Sequence, residues 1–444
     1  MKRYEAYKST GLKWFPEIPN GWEWRFLCQV AQEQIIKKPS GEMYPVMTLS
    51  YGEIKRKKNI DSGLVPSNYD NYQMLYKGNI VLRLIDLQND HTSLRTGLVK
   101  ETGIITSAYT CIAPLENASY IRYLLHSYDT RKVFYGYGGG VRQSIGFKDI
   151  RHLQVPVPPR AEQDQIVRYL DWQVSKINRL IAAKRKQIEL MKDTLKSAVA
   201  KLTTHGIGSH DMCRSEIYWL TEYPSTWHVT KLKYILKKHR REVPPNAELL
   251  ICSNSGEVTK RGDGKLGLVA ASDDIYQGVK TGDLLIHGMD TWHGAIAISN
   301  FDGMCTPVVH VCTCREEKRF VAYYLKMMAY TKVFKAISNG VRQNTSDFRS
   351  WDKVGDLLIC LPDISEQVAI ADELDKLTDA TKKGIACFER HIEKLVDLRT
   401  RLISDVVTGQ IDVRGIEVPD YEHYDEAPEN ATEESSDSDY DTEE

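Results

Sequence analysis

The chain contains two related halves, and this duplication limits its possible folds more than any other feature of the sequence. Gly-Val-Arg-Gln stands at 140–143 and returns at 340–343, and a W-x4-P-x2-W motif begins at Trp14 and again at Trp219. These spacings of 200 and 205 residues far exceed the roughly 20–50 residues of solenoid repeats. Because domains typically contain about 100–200 residues, the chain is predicted to hold two copies of one folded unit.

Each copy ends in a long apolar pattern with a period near 3.5 residues, which predicts helices over about 162–203 and 366–407. A helix of that length spans about 63 Å at 1.5 Å per residue. The predicted seams consist of Leu170, Val174, Ile177, Ile181, Ile188, Met191, Leu195, Ala198 and Leu202, and of Leu374, Leu377, Ile385, Phe388, Ile392, Leu395, Leu402 and Val406. Since the seams correspond between the copies, we expect the helices to pack together about an internal twofold axis, and so antiparallel.

The sequence therefore predicts an α+β fold with an internal pseudo-twofold repeat. Two mixed α/β domains are expected to be separated by two long helices that form an antiparallel coiled coil. The predicted boundaries are 1–160 for the first domain, 161–204 for the central helix, 205–362 for the second domain, 363–414 for the C-terminal helix and 415–444 for a disordered acidic tail.

Charge is distributed unevenly along the chain. From Gly415 to the end there are thirteen acidic residues and no lysine or arginine, which leaves 59 basic and 47 acidic residues in the body, a formal charge of +12. Such a body is compatible with a nucleic-acid partner. The nine cysteines, an odd number scattered through the chain, favour a reducing cytoplasm, and no stretch approaches the roughly 20 apolar residues of a membrane helix.

No catalytic or cofactor motif is found in the sequence. The chain lacks a phosphate-binding P-loop, an H-E-x-x-H metalloprotease motif, a G-x-S-x-G nucleophile elbow and the Asn/Asp-Pro-Pro-Tyr/Phe motif of amino-methyltransferases. Cys305, Cys312 and Cys314 lack the CxxC spacing and the partner histidines of a zinc site. We therefore expect a binding protein without a metal or cofactor of its own.

Basic loops with nearby aromatic, His or Gln side chains occur in both copies and are the candidate DNA-binding segments, because Lys and Arg neutralise phosphates and Arg and Gln can contact base edges. A solvated charged surface is the alternative interpretation of each loop. The candidate residues are Lys55, Arg56, Lys57, Lys58, His91, Arg95, Arg142 and Gln143 in the first copy, and Lys260, Arg261, Lys265, Trp292, His293, Arg342 and Gln343 in the second.

Four signatures together resemble the specificity subunit of a type I restriction–modification system. They are "YKSTGLKWFPEIPNGWEWRFL" near the N-terminus, "VPVPPRAEQDQIVRYLD" with its echo "LPDISEQVAIADELD", the two heptad helices, and the closing "LRTRLISDVVTGQIDVRG". The resemblance covers almost the whole chain up to about Gly415.

The resemblance implies a non-catalytic subunit whose two domains are target-recognition domains, each specific for one half of a split double-stranded DNA sequence. It further implies two modification subunits that bind S-adenosylmethionine and methylate adenine, and restriction subunits that use ATP and Mg²⁺. A protein scaffold with two interaction domains on a coiled-coil spacer, without DNA binding, is the alternative.

Overall fold

A computed structural model describes two compact units, unit 1 (Met1–Arg185 and Glu389–Glu444) and unit 2 (Lys186–Phe388). The residues described are 2–12, 14–50, 52–57, 69, 71–87, 94–137, 144–217, 219–262, 275–337 and 348–424. Each unit combines short strands with helices, which confirms the predicted α+β class.

Unit 1 contains twelve strands within the described residues. They are β1 (Tyr7–Ser9), β2 (Glu17–Pro19), β3 (Glu23–Phe26), β4 (Ala31–Glu33), β5 (Met47–Ser50), β6 (Glu53–Arg56), β7 (Tyr72–Leu75), β8 (Ile80–Leu82), β9 (Thr96–Leu98), β10 (Gly103–Thr106), β11 (Thr110–Pro114) and β12 (Gln154–Val157). Its helices are α1 (Leu27–Val30), α2 (Ala118–Thr130), α3 (Phe147–Ile150) and the start of α4 (Arg160–His205), with a 3-10 turn at Val133–Tyr137.

Unit 2 repeats this order. Its strands are β13 (Met212–Arg214), β14 (Glu222–Pro224), β15 (His228–Lys231), β16 (Leu236–His239), β17 (Leu250–Cys252), β18 (Val258–Lys260), β19 (Gln277–Val279), β20 (Leu284–His287), β21 (Ile296–Ile298), β22 (Gly303–Cys305), β23 (Val309–Cys314) and β24 (Leu358–Leu361). Its helices are α5 (Leu232–Ile235), α6 (Lys318–Tyr330), α7 (Val333–Ile337), α8 (Trp351–Gly355) and most of α9 (Ile364–Val407), with a 3-10 turn at Thr291–His293.

The central sheets of the two units have the same topology. The antiparallel strand order is β4-β11-β8-β9 in unit 1 and β16-β23-β20-β21 in unit 2. One thirteen-residue helix packs on each sheet, and both helices begin with a side-chain cap. Asn117 accepts from two backbone N–H groups at the start of α2, and Glu317 accepts from one at the start of α6. These matches confirm the predicted duplication.

The two long helices pack antiparallel within unit 1. The first turns of α4 contribute Ile166 and Leu170 to a core that also contains Val406 of α9. Farther along α4, the Asn178 side chain accepts a hydrogen bond of 2.7 Å from Arg399. Because α9 residue numbers fall as α4 residue numbers rise, the helices run in opposite directions here.

The same antiparallel packing occurs within unit 2. Gly384 of α9 lies against Met191 of α4, so closely that a Cβ atom at Gly384 would stand 2.3 Å from the Met191 Cε atom. Leu374, near the start of α9, shares a core with Val199, near the end of α4. The helix packing predicted from the seams is therefore confirmed within each unit.

A tryptophan–glutamate hydrogen bond fixes the start of each long helix. The Trp22 indole N–H donates to Glu162 at 3.0 Å, and the Trp227 indole N–H donates to Glu366 at 3.2 Å. The last Trp of each W-x4-P-x2-W motif thus holds the first turn of the helix that closes the same unit. This contact explains why the motif recurs together with a Glu-Gln pair, Glu162-Gln163 in the first copy and Glu366-Gln367 in the second.

Both long helices also end in the same way, although their sequences differ there. Gly206 follows α4 and Gly409 lies two residues beyond α9, and both have φ of +72°, a left-handed conformation that favours glycine. A Cβ atom at Gly206 would lie 3.2 Å from the ring of Trp227, and a Cβ atom at Gly409 would lie 3.2 Å from the ring of Trp22. The "VTGQIDVR" ending of the second copy therefore has a structural counterpart in "TTHGIG" of the first.

Candidate nucleic-acid interface

Lys55, Arg56, Lys57, Lys260 and Arg261 lie on two β-hairpins or directly after them, and each hairpin occupies the same place in its unit. The hairpin β5–β6 begins beside β10 through a bridge between Val46 and Ile104, and the hairpin β17–β18 begins beside β22 through a bridge between Leu249 and Met304. Both bridges are parallel. The two hairpins are therefore equivalent, and each lies against the equivalent strand of its own unit.

Glycine permits this close approach in both units. A Cβ atom at Gly103 would lie 2.7 Å from the Pro45 carbonyl oxygen, and one at Gly303 would lie 2.6 Å from the Glu248 carbonyl oxygen. A methyl group at either position would therefore push against the backbone that leads into the hairpin. The pair of glycines sets the distance between the hairpin and the sheet beneath it.

The cations of the unit 1 hairpin are partly paired with carboxylates. The Lys55 ammonium lies 2.7 Å from the carboxylate of Glu53, two residues earlier in the same strand. Arg56 donates two hydrogen bonds of 2.8 and 2.6 Å to Glu101. The Arg56 guanidinium lowers the pKa of Glu101, chiefly through these hydrogen bonds. Lys57 follows the hairpin and is half-buried. Lys55, Arg56 and Lys57 thus lie together on one edge and remain predicted DNA contacts.

Arg95 is a buried structural residue rather than an exposed one. Only 7% of Arg95 is exposed, and its guanidinium donates to the backbone carbonyls of Arg83 (3.0 Å), Ile85 (2.6 Å) and Asp86 (2.8 Å). Its backbone N–H donates to the buried carboxylate of Asp129 at 3.0 Å. The sequence prediction that Arg95 contacts DNA therefore does not fit its position, because its donors are used inside the unit.

In unit 2, Lys260 and Arg261 close the hairpin. The Lys260 ammonium forms an ion pair with Glu248 and lies 5.5 Å from the centre of the Phe301 ring. The Arg261 backbone N–H donates to the Leu249 carbonyl at 2.9 Å, which leaves its side chain as the first group of the loop beyond the hairpin. Both residues remain predicted DNA contacts.

The turn of the unit 2 hairpin is tied to two helices of the same unit. Lys326 of α6 donates to the Gly256 carbonyl at 3.1 Å, and Lys382 of α9 donates to the Glu257 carboxylate at 2.5 Å. Burial lowers the pKa of Lys326. A hairpin held at its turn by two helices offers its cations on a fixed support.

Trp292 and His293 lie on the 3-10 turn of unit 2. His293 is exposed, whereas Trp292 is half-buried and its indole N–H has no hydrogen-bond partner among the described residues. The Lys335 ammonium of α7 is 6.0 Å from the centre of the Trp292 ring. The turn therefore lies beside the helix that precedes the second Gly-Val-Arg-Gln segment.

Seven predicted contact residues lie outside the described residues: Lys58, His91, Arg142, Gln143, Lys265, Arg342 and Gln343. The residues just beyond the two Gly-Val-Arg-Gln segments are nevertheless anchored alike. The Ile145 N–H donates to the Leu84 carbonyl at 2.9 Å, and the Phe348 N–H donates to the Gly288 carbonyl at 3.0 Å. The matching segments thus return to matching positions on their sheets.

Sequence analysis missed one basic surface, formed by Lys237, Lys238, Arg240 and Arg315 of unit 2. Three of these residues lie in the run "KKHRR" at 237–241, which has no basic counterpart in the first copy and so is not part of the repeated pattern. Across the described ranges no group of three or more His, Cys, Asp or Glu residues could hold a metal ion. None of the helices built from these residues has the length and hydropathy needed to cross a bilayer.

Residues 28–190 match the family model of the type I restriction modification DNA specificity domain. The chain is 28% identical over 318 residues to the type I restriction enzyme MjaX specificity subunit of Methanocaldococcus jannaschii, covering 66% of this chain and 68% of that protein. These matches make the chain similar to type I restriction–modification specificity subunits.

A second similar specificity subunit comes from the same organism. The type I restriction enzyme MjaVIII specificity subunit is 26% identical over 293 residues, covering 61% of this chain and 64% of that protein. A solved structure described as the structural basis of complex assembly and conformational transition of the type I R-M system shares the fold. That chain superposes with a TM-score of 0.64 at 13% identity, covering 89% of the present chain and 99% of its own length.

Proposed function

We propose that this chain is a DNA-recognition subunit in which each unit recognises one half of a bipartite sequence. The observation that carries the proposal is the match of residues 28–190 to a DNA specificity domain, together with the repetition of that domain's topology in unit 2. Two copies of one recognition fold in a single chain are suited to a target with two parts. Because the loop sequences differ between the two copies, the two halves of the DNA target are expected to differ in sequence.

The proposed contacts are the two hairpins and the loops that follow them. Lys57 and Arg261 supply cations at matched positions after the two hairpins. The Gly-Val-Arg-Gln segments supply Arg and Gln, which can form paired hydrogen bonds to guanine and adenine edges. Cations on the hairpins would position the duplex, and the Arg-Gln pairs would add base preference.

The chemistry is assigned to partner subunits. We propose that two modification subunits methylate adenine with S-adenosylmethionine, that restriction subunits use ATP and Mg²⁺, and that this chain supplies no catalytic group. All nine cysteines are free thiols, and five of them are buried. Free thiols on this scale are typical of a reducing compartment, so we propose that the complex acts in the cytoplasm.

Selection from a randomised duplex library tests the proposal. The chain, reconstituted with its modification subunits, is expected to enrich two short sequence blocks at a constant separation. Its affinity is expected to fall steeply with salt, since cations that bind phosphates release counterions. No enriched sequence and an affinity independent of salt would instead favour a protein scaffold.

A further inference from the structure

A basic cleft in unit 2 has no assigned role. It has a volume of about 660 Å³ and is formed by α5, β16, the residue after β23 and the start of α8. Lys237, Lys238, Arg240 and Arg315 line it, together with Tyr234, which is 64% exposed. No carboxylate among the described residues pairs with these four cations.

The neighbouring charges leave the cleft strongly positive. Asp356 pairs with Lys231 at 3.0 Å and with Lys233 at 2.9 Å, so this carboxylate is already used at one rim. Arg241 is bound to the buried Asp283 and does not line the cleft. His239 donates to or accepts from Thr313 at 2.8 Å. Four unpaired cations around one depression form a site for a polyanion.

Protection of a sheet edge is the simplest alternative explanation of these residues. The strand β16 lies at the edge of its sheet, and edge lysines discourage pairing with other strands. That role accounts for Lys237 and Lys238 on the strand itself. It does not account for Arg240 and Arg315, which lie outside the strand, or for a concave surface with an exposed tyrosine.

Unit 1 lacks the cations at the same position of the same fold. The register pairs β4 with β11 as it pairs β16 with β23, so Gln32, Ile35 and Leu115 occupy the places of Lys237, Arg240 and Arg315. Ile35 is 73% exposed and Leu115 is 56% exposed. The cations are therefore not needed for the fold.

We infer that this cleft binds the phosphate backbone of duplex DNA and gives unit 2 a sequence-independent contact that unit 1 lacks. The inference rests on the proposed function, because it assumes that unit 2 lies on a duplex. A duplex is favoured over other polyanions because unit 2 already presents Lys260 and Arg261 as candidate phosphate ligands. The exposed Tyr234 hydroxyl adds a neutral hydrogen-bond donor for a phosphate oxygen.

The test is a salt titration of the complex with its modification subunits. The variant carries Lys237→Ala, Arg240→Ala and Arg315→Ala. Each phosphate contact contributes about 0.9 to the slope of log affinity against log salt, so the slope should fall by about 2.7. The ratio of wild-type affinity to variant affinity should then fall about 40-fold between about 50 and 200 mM salt. The loss should be equal on a selected duplex and on a scrambled one.

Two controls separate local contacts from net charge and folding. The charge-retaining variant Lys237→Arg, Arg240→Lys, Arg315→Lys should keep the wild-type slope. The charge-matched variant Lys192→Ala, Lys196→Ala, Lys376→Ala removes three exposed lysines of the long helices and should change the slope by less than one. Hydrogen exchange of β16 and β23 should be the same in the wild type and the cleft variant, which shows that unit 2 remains folded.

Three results would overturn the inference. An unchanged slope in the cleft variant excludes phosphate contacts, and a loss confined to the selected duplex would make the cleft a base-recognition site. The third concerns the acidic tail: if a chain ending at Tyr424 binds DNA more tightly, but the same truncation has no effect in the cleft variant, the cleft holds the tail instead. Failure of the proposed function is a separate result, because the wild-type complex would then enrich no sequence.

Discussion

Replacing Arg95 with alanine tests whether this residue supports unit 1 or contacts DNA. The guanidinium is almost fully buried and donates to the carbonyls of Arg83, Ile85 and Asp86. One of these residues, Asp86, has φ of +53°, a left-handed conformation that is uncommon for a residue with a side chain. Removal of the guanidinium would leave three backbone acceptors without their donors and would open a cavity.

The expected loss follows from the cost of unsatisfied buried acceptors. Each costs about 1–3 kcal/mol, and partial entry of water reduces the sum, so Arg95→Ala should destabilise unit 1 by about 4 kcal/mol. For a unit of this size one kcal/mol corresponds to roughly 2–4 °C, so the transition of unit 1 should fall by about 12 °C. Scanning calorimetry measures this shift, and hydrogen exchange locates it at β8 and β9.

Lys55→Ala is the matched control, because Lys55 is a partly exposed cation of the same unit whose ion pair contributes at most about 1 kcal/mol. The reasoning is refuted if Arg95→Ala leaves the unit 1 transition within about 3 °C of the wild type. It is refuted most directly if the variant keeps its stability but selects a different half-site. Arg95 would then be a recognition residue, as its sequence context first indicated.

Three further predictions concern matched or buried positions. Gly103→Ala and Gly303→Ala should each move one hairpin and weaken selection of only the half-site of that unit, by overpacking that costs about 1–3 kcal/mol; loss of both halves from one variant would contradict this. Trp22→Phe and Trp227→Phe should each reduce the free energy of unfolding of their own unit by a similar amount, about 1–3 kcal/mol measured by calorimetry, because each removes one N–H donor to a carboxylate. Burial lowers the pKa of His310, so the unfolded state binds one more proton than the folded state as the pH falls below about 6.5; this residue should cost unit 2 up to about 1.4 kcal/mol of stability per pH unit there, and His310→Asn should reduce the pH slope by that amount in thermal melts.

The regular parts of the fold were predictable because they depend on periodicity. Nine seam residues of α4 recur every three or four positions, apart from one step of seven between Ile181 and Ile188, and such spacing defines a helix face without knowledge of what covers it. The predicted helix of 162–203 is observed as Arg160–His205, and that of 366–407 as Ile364–Val407. Comparison of the copies also found the Glu-Gln pairs, whose contact with Trp22 and Trp227 only the structure reveals.

The candidate site was less predictable because the type of a residue does not determine whether its side chain is exposed. Arg95 stands in a polar, basic stretch, yet the backbone of 83–86 wraps its carbonyl groups around the guanidinium and buries it. The cleft cations were missed for the opposite reason. Lys237 and Arg240 lie near each other in sequence, but Arg315 joins them only through the pairing of β16 with β23. Long-range pairing of this kind leaves no local pattern in a single sequence.

The central claim is that each unit recognises one half of a divided DNA sequence. The most direct measurement is a map of methylated adenines in DNA from cells that carry this chain and its partner subunits, made with the wild type and with residues 20–155 exchanged for those of another specificity subunit. We predict a motif of two blocks at a constant spacing, of which the exchange alters one block and leaves the other unchanged. A single continuous motif, or an exchange that alters both blocks together, would contradict the claim.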